Sequence, residues 1–141
     1  MIPMHELKAG DIVRAKYDGS SVPGSVVQFD PGTRKVCVIT NDDQECWYDP
    51  EDLFPIPVDQ KVLDNLQFVQ DGGPDPDGSI TYLRGPFSIK VYDPETFRHL
   101  TLQYRSEQPR KLHEGLALHE LQNHYLAMTN VHLVDRAALE H

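Results

Sequence analysis

Long apolar runs, positive charge and cysteine are all in short supply in this sequence. No stretch approaches the roughly 20 consecutive apolar residues that a bilayer-spanning helix needs. The opening MIPMHELKAGD lacks the basic region and apolar core of a secretory signal. A cytoplasmic protein with no membrane segment is therefore expected. Acids outnumber bases 22 to 13, for a net charge of -9. The bases are scattered, and only RSEQPRK (105–111) resembles a basic patch. Nucleic-acid affinity comes largely from Lys and Arg set against phosphates, so that partner is disfavoured. The two cysteines, Cys37 and Cys46, do not have zinc-knuckle spacing and are expected to be reduced and structural. If 41–44 form the hairpin loop between them, Ile39 faces Cys46, and Cys37 becomes its diagonal neighbour on the same face. A disulfide would then be within geometric reach.

Catalytic motifs are missing as well. There is no G-x-S-x-G nucleophile elbow and no G-x-x-x-x-G-K-S/T phosphate loop. The acidic stretches DPDG (75–78) and NDDQE (41–45) do not follow the ligand order of a calcium loop and read as solvated turns. Asp49, Glu51 and Asp52 are close enough in sequence to act as an acid pair, but capping and dipole complementation on a single helical turn explain them more simply. No cofactor is implied.

What remains is an ordinary globular composition, 39% hydrophobic and 25% charged over 141 residues. Between Lys8 and Val58 short β-rich runs alternate with turn residues: DIVRAKY (11–17), SVVQFD (25–30), RKVCVIT (34–40) and ECWY (45–48). Asp-Gly, Pro-Gly and Asn-Asp-Asp supply the breaks. Pro50 suits the first position of one helical turn, and PIPV (55–58) suits an edge strand, where missing amide donors are tolerated. Three segments, Gly10-Asp11-Ile12-Val13, Pro23-Gly24-Ser25-Val26-Val27 and Trp47 to Leu53, together resemble an SH3-like barrel of the Tudor type over the first 58 residues. The resemblance implies a small closed barrel.

Val58, Val62, Leu63 and Leu66 have helical spacing, with Asp59 as N-cap, and QDGGPDPDGS (70–79) ends the helix in an acidic loop. Three further strands follow at 79–85, 86–93 and 97–105. Phe87, Ile89 and Val91 give the cleanest period-two alternation in the chain. The fold class expected is α+β: an N-terminal SH3-like small β-barrel (1–58), a linking helix and acidic loop (59–78), then an antiparallel three-stranded sheet capped by a C-terminal helix (79–134). The tail 135–141 ends in Leu-Glu-His and reads, at least over 139–141, as vector-derived.

The last helix contains HELQNH (119–124), which invites a zinc reading. A zincin helix needs its two histidines at i and i+4, on one face. Here Asn123 holds that position and the second histidine is His124, roughly 140° around the axis from His119. The zinc reading fails on that angle. Leu118, Leu121, Tyr125 and Met128 instead form one apolar stripe, which places Glu120, Gln122, Asn123 and His124 on the outer face and leaves the histidines at the surface or in a second layer. The segment from Leu118 to Thr129, after the PIP stretch at 55–57, resembles a group of small uncharacterised proteins of Bacteroidetes and their phages that end in VHELQNLYFALTG. That resemblance implies architecture and no activity, and this chain departs from it at His124 and Asn130.

Two features bear on function. Tyr17, Trp47 and Tyr48, with Phe29, are the aromatics that strand ends of a Tudor-like barrel would gather into a cage, and Asp18, Asp49 and Glu51 would attract a basic peptide to it. The competing expectation is that Trp47, the single tryptophan, fills the barrel core while Tyr48 faces the second half. The function expected is non-catalytic binding or assembly through a protein or peptide partner, with Tyr17, Trp47, Tyr48 and Asp49 as ligand-binding candidates. The alternative is a metal-dependent or histidine-based hydrolase using His113, His119 and Glu120. A nucleic-acid-binding barrel is the third reading.

Overall fold

A computed structural model describes residues 2–40 and 43–133. The chain divides into two compact units. The first comprises the chain up to Ile56, Leu118–His124 and the described residues from His132 on; the second comprises Pro57–Ala117 and Tyr125–Val131. The residues of the last helix, α2 (Leu118–Thr129), are thus shared between them. The class is α+β, with two antiparallel sheets. Among the described residues no helix is long and apolar enough to cross a membrane.

The first unit is built on β1 (Ile12–Tyr17), β2 (Ser20–Asp30), β3 (Lys35–Thr40), β4 (Glu45–Tyr48) and β5 (Leu53–Phe54). Their order is β4-β3-β2-β1-β5, an open sheet with β4 and β5 at its edges rather than a closed ring. Asp18 and Gly19, at φ 50° and 80°, form the two-residue turn that pairs Tyr17 with Ser20. β2 starts five residues earlier than the sequence suggests and runs through Pro23. The pairing of β2 with β3 begins only at Gly24–Thr40, so Ser20 to Pro23 are paired on one side, with β1, where a missing amide donor is tolerated. One face of the sheet buries Val13, Ala15, Val26, Val36, Val38, Tyr48 and Leu53 in a cluster that Ile2 and Leu7 of the N-terminal segment complete. β5 ends before Pro55, so the edge strand is Leu53–Phe54 and not 55–58.

The β3–β4 hairpin departs from expectation by one residue. Ile39 pairs with Glu45, Val38 with Cys46, Cys37 with Trp47 and Val36 with Tyr48. The connection therefore has one more residue than a 41–44 loop; it is closed by the Thr40 amide donating to the Gln44 carbonyl at 3.2 Å. Side chains alternate with period two, so a one-residue shift exchanges the faces of the whole strand. Cys46 now shares a face with Val38 and not with Cys37, and both thiols are free. The disulfide geometry is lost. Tyr48 takes the core position beside Val36, and Trp47 turns to the opposite face, where it is 46% exposed. Trp47 is thus not the core residue expected of the one tryptophan.

The second unit is a five-stranded meander: β6 (Val69–Gln70), β7 (Ile80–Arg84), β8 (Phe87–Asp93), β9 (Arg98–Tyr104) and β10 (Arg110–Leu112), ordered β10-β9-β8-β7-β6. The three expected strands lie at its centre. Two short edge strands were not foreseen, and the sheet is correspondingly wider. Tyr82, Phe87, Ile89, Val91, Leu100 and Leu102 are buried, as the alternation requires. Phe87 sits between the rings of Phe68, 6.2 Å away, and Tyr125, 4.8 Å away, both edge-on. Helix α1 (Gln60–Asn65) is capped as expected, with the Asp59 carboxylate accepting from the Val62 amide at 2.9 Å. It stops where Gln67 turns to φ 67° and the Phe68 amide donates back to the Leu63 carbonyl at 2.9 Å, a Schellman-type ending without glycine. In the acidic loop, the Ser79 hydroxyl is buried against Asp77, at 2.6 Å.

Gly24 is the tightest backbone approach in the first sheet. A Cβ there would lie 2.5 Å from Val38 Cγ1 and 2.9 Å from the Ile39 carbonyl oxygen. Gly24→Ala is expected to cost about 1–3 kcal/mol, read as a lower urea midpoint at unchanged slope, because the obstruction includes rigid backbone.

Candidate functional site

Two places collect the residues that the sequence singles out. The first is the β4 edge. Glu45 and Trp47 are two residues apart, on the same face of a strand that pairs only with β3. Both are exposed, as are Asp49, Glu51 and Asp52 in the segment that follows. Glu51 and Asp52 fall in the first turn of the 3-10 turn Pro50–Asp52, as dipole complementation expects, while Asp49 at its N-cap makes no side-chain capping bond. Asp49, Glu51 and Asp52 are exposed and follow Trp47 closely in the chain. Cys37 lies opposite Trp47 and is buried, and burial pushes its thiol above the ordinary range. A thiol held protonated in this way is a packing group, not a nucleophile. Of the four binding candidates, Trp47 and Asp49 are exposed and Tyr48 is in the core. Tyr17 ends β1, and its side chain lies outside the described residues.

The second place is the start of α2, where the sequence reading erred most. Gln122, assigned to the outer face by periodicity, is 7% exposed. Its Oε1 accepts from the Ile12 amide at 2.7 Å and its Nε2 donates to the Gly10 carbonyl at 2.9 Å. One side-chain amide thus imitates a neighbouring strand, satisfying a donor and an acceptor at the head of β1. Gly10 takes φ 97°, which leaves its carbonyl free for this bond and its amide bonded to the Val26 carbonyl at 2.8 Å. Asn123 donates to Asp11 Oδ2 at 3.2 Å, and the Lys8 amide donates to the same oxygen at 2.9 Å. The Gly10-Asp11-Ile12 opening and the Gln122-Asn123 pair, which appear unrelated in the sequence, are two halves of one hydrogen-bonded cluster.

His119 belongs to the same cluster and is 3% exposed, not a surface histidine. Among the described residues neither ring nitrogen has a hydrogen-bond partner, and the Glu6 carboxylate lies 3.8 Å from Nε2. Asp11 is held above the ordinary carboxylate range by burial, against the opposing pull of the Lys8 amide, the Asn123 side chain and the charges of His119 and Lys8. His119 faces Glu6 in the first unit, Glu120 is exposed on the helix, and His113 is exposed in the second unit with its ring 6.3 Å from that of His99. Among the described residues no group of three or more His, Cys, Asp or Glu side chains is arranged to hold a metal ion.

Two outcomes follow from the cluster. Gln122→Leu should lower the unfolding free energy by about 1–3 kcal/mol, because the buried Ile12 amide loses its acceptor and the part-buried Gly10 carbonyl its donor. For Asp11 the sign follows from its raised folded-state value: the unfolded chain ionises first, so stability is present at low pH and is lost as pH rises through the folded value. Asp11→Asn keeps one oxygen to accept from both Lys8 and Asn123. Relative to the parent, it should gain stability as pH rises from about 3 to about 6, measured by denaturant melts across that range.

Comparison of the chain with protein-family models, with curated proteins and with solved structures gives no match.

Proposed function

We propose that this chain is a non-catalytic binding module that takes a basic peptide segment of a protein partner at the β4 edge. The observation that carries this reading is the exposure of its only tryptophan, 46%, on an edge strand flanked by Glu45 and Asp49. An exposed indole costs solvation in the free protein and is the side chain most often found at the energetic centre of an interface. A Lys or Arg over its face gains cation–π attraction, and the neighbouring carboxylates add long-range attraction for positive charge.

The chain path of the first unit supports an SH3-like, Tudor-type reading. Four strands in a meander lead through a 3-10 turn to a short β5 that returns to β1. In a domain of that kind, aromatics at strand ends take up a cationic side chain, and Trp47 occupies such a place here.

The single tryptophan is also the reporter. Titrating the protein with a short Arg/Lys-rich peptide should shift Trp47 emission saturably, while an Asp/Glu-rich peptide of equal length should not. Trp47→Ala should weaken binding, read by calorimetry, by about tenfold or more. It should leave the melting temperature within a few degrees, since the side chain is outside the core. Equal binding of the Ala variant and the parent would exclude this edge as the site.

A further inference from the structure

The second unit carries a different kind of surface. Strand register places Lys90, Thr101 and Lys111 in one row across β8, β9 and β10. Beside that row, Tyr92, His99 and His113 complete the walls of a cleft of about 200 Å³, whose lining also includes Leu100 and Leu112. The two imidazoles meet edge to face with ring centres 6.3 Å apart, and Lys90 Nζ stands 5.1 Å above the Tyr92 ring. Acids outnumber bases 22 to 13 over the whole chain, yet of the described residues lining this cleft none is a carboxylate. Of the carboxylates near the row, Asp75 lies 3.7 Å from Lys90, which is outside the cleft lining, and Glu114 lies 3.8 Å from Arg98. His99 takes φ 54°, a left-handed conformation uncommon for a non-glycine residue and retained mainly where the surroundings impose it.

We propose that this cleft binds the phosphate group of a small, soluble phosphate monoester. A tetrahedral oxyanion has several acceptor oxygens and no donor of its own when fully ionised. The cleft supplies the complement: the Lys111 ammonium, the Thr101 hydroxyl and imidazole N–H groups of His99 and His113, all donors on one face. The exposed Tyr92 ring offers a flat apolar surface for the carbon part of the ester. A volume of about 200 Å³ suits a short ester and not a nucleotide-sized ligand. A metal ion held by the two imidazoles would meet the Lys111 charge, so the same cleft is built against cations.

The test is an NMR amide titration with inorganic phosphate and with glycerol 3-phosphate, at constant ionic strength set with chloride. Saturable shifts confined to β8, β9 and β10 are expected, with the ester binding more tightly than phosphate. Lys111→Gln and His113→Asn should each weaken that binding by about tenfold. Both side chains are exposed, so the variants should melt with the parent. The proposal is overturned if phosphate shifts no more than chloride does, or if Lys111→Gln leaves the titration unchanged. It is equally overturned if zinc saturates the histidine resonances while phosphate does not. Tighter binding of phosphatidic acid vesicles or of an oligonucleotide than of the ester would replace the small soluble ligand with a membrane or a nucleic acid.

Discussion

The first unit depends on one side-chain amide. Gln122 bonds both the Gly10 carbonyl and the Ile12 amide, across more than a hundred residues of sequence. On one side the head of β1 pairs with β2, Ile12 opposite Ser25; on the other, β5 pairs only with Arg14 and Ala15 among the described residues. Without the glutamine, the buried Ile12 amide would be left unpaired and the part-buried Gly10 carbonyl would lose its donor, a cost that matters against a small domain's net stability. That constraint explains why the segment Leu118–His124 belongs with the N-terminal sheet while the rest of the helix belongs with the second unit. It also explains the neighbours. Asp11 is buried because its backbone is held in the cluster, and Asn123 and the Lys8 amide supply the donors that a buried carboxylate requires.

His119 contrasts with its neighbours. It is buried, yet among the described residues its ring nitrogens find no hydrogen-bond partner, and the Glu6 carboxylate is beyond hydrogen-bond length. In the sequence, HELQNH draws attention to its histidines. In the fold, the polar work is done by the two amides between them. The zincin pairing of the motif fails on helix angle, since His124 lies roughly 140° around the axis from His119.

The two surfaces proposed for binding have opposite character. The β4 edge exposes an indole between two acidic residues in sequence, and the second sheet sets one lysine and two imidazoles around a cleft. A net charge of -9 conceals both. Charge totals constrain the average field around a protein, whereas sheet register decides which side chains share a face. The row Lys90–Thr101–Lys111 is assembled from three strands, and no window of sequence contains it.

How much was legible follows the length scale of each signal. Local chemistry was readable: the Asp-Gly turn, the Asp59 cap and the alternation of Phe87, Ile89 and Val91 each act within a few residues. The two-residue strand β6 and the three-residue strand β10 were not, because so few residues carry no period and neither strand has a fully buried position. Pro23 hid the first half of β2, although an edge segment tolerates it. The α+β class and the central strands were determined by the sequence itself, through patterns that repeat with the pitch of each element. Tertiary structure alone decided the face of Trp47, the burial of Gln122 and His119, and the separation of Cys37 from Cys46. Each of these turns on a partner strand or helix distant in sequence, and a single residue of register is enough to exchange inside for outside.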